Sequence, residues 1–152
     1  MNRRNFLTTA AAATATLPLT SQRLLAAQHS ARQSALVMDA MGELRIIYEP
    51  ALVQQMLDSG MDSITVTLCD PKPLGAEALE LAVDSLLEFD RHITANPAQL
   101  LKATAVADID RARASGRLAV FYLYQNTVQF GAGLDRVEMF YAMGLRSCQI
   151  TY

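Results

Sequence analysis

The sequence predicts a parallel α/β protein of about four β/α units, which amounts to half of an eight-fold (β/α) barrel. Three observations lead there. Short apolar, β-branched runs alternate with longer stretches whose apolar residues recur at helical spacing. The strand-like runs are apolar throughout, as strands buried on both faces of a parallel sheet are. Closing such a barrel takes about 250 residues, and the chain has 152. A half barrel leaves its first and fourth strands as open edges, which predicts self-association through them. A small complete open-sheet α/β domain is the competing arrangement, disfavoured because no segment follows the fourth strand to cap it.

Ala35 to Met38, ending in Asp39, reads as the first buried strand. Glu49-Pro50 opens a helix, with proline in the first turn, where its missing N–H costs nothing. Val53, Met56 and Leu57 share one face of that helix and Gly60 stops it. Ser63 to Leu68 is β-branched and apolar, a second strand closed by the loop Asp70-Pro71-Lys72-Pro73. A long helix follows from Ala76 to about Thr94, with Leu79, Val83, Leu86, Leu87 and His92 along one stripe. Asn96-Pro97 breaks it, and the next helix, Val106 to Ser115, ends at Gly116. Leu118 to Tyr124 is a third strand. Leu134 to Met143, with Val137, Phe140 and Tyr141 on one face and Gly144 as stop, is a helix leading into a fourth strand from Leu145 to Tyr152.

The N-terminus has a different character. Arg3-Arg4, followed by Phe6-Leu7, an uncharged Ala/Thr/Leu-rich stretch from Thr8 to Thr20 and then Leu24-Leu25-Ala26-Ala27, has the charged head, weakly apolar middle and small-residue end of a removable export signal. The paired arginines mark residues 1–27 as a twin-arginine signal, with a periplasmic or exported destination, and assign 28–152 to the mature domain. A disordered leader or short amphipathic helix is the alternative. That segment holds three arginines and no acid, so the remainder carries 10 basic against 15 acidic residues. A mildly acidic body gives no reason to expect a nucleic-acid partner, and the mature part has no apolar run long enough for a transmembrane span. Cys69 and Cys148 sit in strand-like apolar runs and read as buried free thiols.

Two stretches carry a family resemblance. Asn96-Pro97-Ala98-Gln99-Leu100, running through Ala107-Asp108-Ile109-Asp110-Arg111-Ala112 to Gly116-Arg117-Leu118-Ala119, resembles a helix-to-strand passage of the membrane (renal) dipeptidases. Met139-Phe140-Tyr141-Ala142-Met143-Gly144-Leu145-Arg146 with Gln149-Ile150-Thr151 resembles that family's approach to its fourth strand. The resemblance covers most of 35–152. It implies the N-terminal half of a metal-dependent hydrolase barrel of the TIM type, holding two bridged zinc ions that cleave dipeptides, with a small dipeptide-like substrate.

The positions that would carry that chemistry are substituted. Where the family has Asp-x-His-x-Asp, this chain has Asp39-Ala40-Met41-Gly42-Glu43. Met41 is a soft thioether unsuited to zinc among carboxylates, and Glu43 could still supply an oxygen. The bridging glutamate is matched by Gln125, which is neutral, and the substrate-polarising histidine by Tyr152. The resemblance therefore implies that zinc is absent or weakly held and hydrolysis impaired. A non-catalytic binding relative, or a fragment without independent activity, are the other readings. Asp39, Tyr124 and Asn126, at the strand ends where barrel sites collect, are the expected pocket residues. Asp39 and Glu43 could form an acid/base pair; the simpler expectation is that Asp39 caps the following turn and Glu43 is solvated. His29 and His92 are expected to play no ligand role, and Gly131-Ala132-Gly133 is an incomplete phosphate-loop pattern.

Overall fold

The structure is a computed structural model that describes residues 35–150, and its fold lies within the compact unit Val37–Tyr152. The proposed export segment, His29 and Tyr152 fall outside the described residues. The elements in chain order are β1 (Met38–Gly42), α1 (Pro50–Asp58), β2 (Ser63–Thr67), α2 (Gly75–Ala95), β3 (Leu100–Lys102), α3 (Ala107–Ala114), β4 (Leu118–Tyr124), a 3-10 turn (Val128–Phe130), α4 (Asp135–Ala142) and β5 (Leu145–Cys148).

Every strand pairing is parallel. β1 lies beside β2 and β2 beside β4, from Ser63 opposite Ala119 to Thr67 opposite Leu123. The other edge of β4 is shared: β3 pairs with Leu118–Val120, and β5 pairs with Tyr122–Tyr124. The barrel-type succession of β/α units is thus β1, β2, β4 and β5, and β3 is an addition. Its three residues were too few to show a period. It is fixed by Leu118 N–H donating to the Gln99 carbonyl (2.8 Å) and Ala103 N–H donating to that of Val120 (2.9 Å).

Alternation along β4 divides the packing into two faces. Leu118, Val120, Tyr122 and Tyr124 join Ile64 and Val66 of β2 in the larger core, beneath Val53 of α1, Ala82, Leu86, Phe89 and Ile93 of α2, and Phe140 of α4. Ala119 and Phe121 face the other way and meet Leu101, Ala103 and, from α3, Ile109 and Ala112. Register places Ser63, Thr65 and Thr67 on this second face as well. The sheet curls towards it. In a flat sheet β1 and β5 would stand three spacings of about 4.8 Å apart, yet the side chains of Met41 and Gln149, just beyond those strands' ends or at them, approach to 3.9 Å.

The first strand departs from its expectation in both extent and burial. It runs Met38–Gly42 rather than Ala35 to Met38, and its residues are mostly exposed. Val37 N–H donates to the Asp62 carboxylate (2.8 Å), and the Val37 carbonyl accepts from Asp62 and Ser63 N–H, which fixes the entry to β1. A bulge between Asp39 and Gly42 then turns the strand at an edge that no described strand covers. Cys69 and Cys148 are free thiols, half-buried rather than buried.

Candidate functional site

The C-terminal ends of β1, β2 and β4 converge on a cleft of about 810 Å³. This is the end at which (β/α) barrels place their chemistry. Its lining includes Met41, Glu43 and Arg45 after β1, Cys69 and Asp70 after β2, and Gln125 after β4.

Met41 projects from the concave face. Its sulfur faces two carboxamides, with Gln125 Nε2 at 4.0 Å and Gln149 Nε2 at 3.9 Å. Gly42 leaves room for neighbouring side chains: a Cβ there would stand 2.5 Å from Asp39 Oδ2 and 2.7 Å from Ile64 Cδ1, so those side-chain ends would have to turn aside. The Asp39 carboxylate folds back to accept Met41 N–H (3.1 Å), a local turn contact rather than a partnership with Glu43. Glu43 is paired instead with Arg45, whose Nε donates to Oε1 at 2.6 Å, and both side chains are about 60% exposed. Glu43 holds the Arg45 guanidinium above its ordinary pKa.

The three expected pocket residues do not line this cleft. Asp39 lies on the opposite side of β1 from Met41. Tyr124 is fully buried on the helix-covered face, where its hydroxyl donates to the Ala82 carbonyl (2.7 Å) and its ring meets Phe140 edge-on at 5.3 Å. Burial, with Cys69 and Cys148 nearby, pushes its phenol well above its usual range. Asn126 ties loops together: Nδ2 donates to the Pro71 carbonyl (2.5 Å), Oδ1 accepts from Val128 N–H (3.2 Å), and the Cys148 thiol donates to the Asn126 carbonyl (2.9 Å). It lines a separate cavity of about 270 Å³ with Lys72, Thr127 and Ile150. His92 is in the last turn of α2, its Nε2 buried without a hydrogen-bond partner among the described residues, and burial lowers its pKa. Gly131 closes the 3-10 turn at φ 60°, with the Arg136 side chain packed where a Cβ would stand.

Gln149 is the contact that sequence reading missed. Its approach to Met41 joins positions 108 residues apart through the curl of the sheet. Cys69 is likewise a cleft residue read from sequence only as a buried thiol; burial, reinforced by Asp70, pushes it up to about 11, so it is a neutral thiol at physiological pH.

No protein-family model matches the sequence, and comparison with curated proteins finds no match. Solved structures do share the fold. The chain is similar to an amidohydrolase from Pseudomonas aeruginosa (TM-score 0.67, 20% identity, 80% of this chain and 35% of that one). It is similar to the probable dipeptidase PvdM from Pseudomonas aeruginosa (TM-score 0.67, 13% identity, 86% and 38%). It is also similar to a metallopeptidase from Rhodobacter sphaeroides solved with a phosphinate mimic of the dipeptide L-Ala-D-Ala (TM-score 0.63, 16% identity, 77% and 45%). The fold is therefore that of part of a (β/α) barrel like theirs, and the chain spans less than half the length of each of these structures.

The described residues do not fit a two-zinc centre. Among the described residues no three His, Cys, Asp or Glu side chains come together as a metal-holding group. At the positions in question stand a thioether, a neutral carboxamide and a carboxylate already paired with arginine. Two adjacent dications need anionic bridging and imidazole or carboxylate ligands, which this set does not supply.

Proposed function

We propose that the chain is a membrane-dipeptidase-like protein whose strand-end cleft binds a small dipeptide-like or amino-acid-derived ligand, with zinc-dependent hydrolysis impaired. The observation that supports this most is the seat of Met41 against Gln125 and Gln149, a thioether facing two neutral carboxamides, with Met41 and Gln125 at positions matched to the family's metal ligands. The cleft lining carries both signs of charge for a zwitterion: Arg45, which would exchange its pairing with Glu43 for the ligand's carboxylate, and Asp70 and Glu88 for an ammonium group. No helix among the described residues is long and apolar enough to cross a membrane.

Calorimetric titration with L-Ala-D-Ala in the presence of a chelator tests the reading. Weak binding, with Kd on the order of 1 mM, weakened further by Arg45→Ala, is the expected result. Binding that requires added metal would contradict it. For location, we propose export by the twin-arginine route, supported by Arg3-Arg4 ahead of an uncharged segment. Arg3→Lys with Arg4→Lys should retain the protein in the cytoplasm; undiminished export would rule that route out.

A further inference from the structure

We propose that Met41 is an oxidation site whose sulfoxide is held by the carboxamides of Gln125 and Gln149, so that peroxide fastens β1 to the ends of β4 and β5. Three observations carry this. Met41 is 52% exposed, more than Met38 at 44% or Met139 at 38%, whereas Met56, Met61 and Met143 pack against the core. Its sulfur faces two amide nitrogens at 4.0 and 3.9 Å, from the residues that directly follow β4 and β5. Those separations exceed an N–H···O hydrogen bond, about 2.9 Å, by roughly one ångström. An oxygen standing off the sulfur fills that gap and presents a far stronger acceptor than a thioether.

The reaction needs only a peroxide. A sulfur lone pair attacks one peroxide oxygen, the S–O bond forms as the O–O bond breaks, and the departing hydroxide takes the remaining proton and leaves as water. Sulfur is oxidised by two electrons and the peroxide reduced by two. The product is reversible by methionine sulfoxide reductases. Joining β1 to the ends of β4 and β5 would draw in an edge strand whose outer side no described strand covers.

The test treats the 152-residue chain with hydrogen peroxide, maps sulfoxides by peptide mass spectrometry, and follows the Gln125 and Gln149 side-chain amides by NMR. Met41 should oxidise at least about fivefold faster than Met56, Met61 and Met143. Both amide groups should shift downfield, and Tm should rise by about 2–4 °C. Met41→Leu should remove the amide shifts and the Tm rise, Met38→Leu should keep both, and reductase treatment should reverse them. Oxidation of Met41 no faster than of the packed methionines would overturn the proposal. So would unmoved amide resonances, or a falling Tm, once Met41 is fully oxidised.

Discussion

Asp108 is 6% exposed, and its carboxylate accepts the backbone N–H groups of Thr104 (2.7 Å) and Ala105 (3.0 Å) while pairing with Arg111. These contacts, that from Thr104 foremost, hold its pKa below the usual 3.8. A depressed folded-state value means that the stabilisation is present above the unfolded pKa and is lost as the pH falls through the folded one. Asp108→Asn should cost about 2 kcal/mol at neutral pH. In denaturant melts the gap from wild type should close as the pH drops below 3.8, where the native carboxyl takes up its proton; a gap of constant size would contradict this. At the same scale, Met41, Glu43 and Gln125 could be singled out from sequence because a motif comparison works position by position. Gln149 could not, since nothing local in the sequence fixes how far the sheet curls between β1 and β5.

Among elements, β2, β4 and the helices were legible because their apolar runs and helical stripes are long enough to show a period. The exceptions share a cause. β3 has three residues and exists because β4 offers it an edge, and β1 is held by Asp62 and a bulge rather than by burial. The placement of α3 was also hidden, because amphipathicity identifies a buried stripe and not which face of the sheet receives it. Ala119 and Ala112, both 0% exposed, let α3 approach the face opposite α2. Ala119→Leu should therefore destabilise the protein by about 1–3 kcal/mol through overpacking. A neutral effect in urea melts would mean that α3 does not pack there.

For the whole molecule, the exposed β1 edge, with Val37 41%, Met38 44% and Met41 52% exposed, predicts that the isolated 152-residue chain self-associates. Size-exclusion chromatography should show concentration-dependent oligomers, and a sharp monomer peak with cooperative unfolding would favour a self-sufficient open sheet. The fold class was readable because alternation of strand and helix is a property of the whole chain, whereas the pocket residues depended on which way each strand faces. Tyr124 and Asn126 sit at the correct strand end yet point into the core and the loops. The partial (β/α) barrel carries a strand-end cleft in which, among the described residues, no three His, Cys, Asp or Glu side chains come together to hold zinc. The most direct test equilibrates residues 28–152 with zinc, removes the free ion, and measures retained metal and L-Ala-D-Ala hydrolysis in the same sample. The expected result is no stoichiometric zinc and no turnover; two equivalents of retained zinc with release of alanine would contradict it.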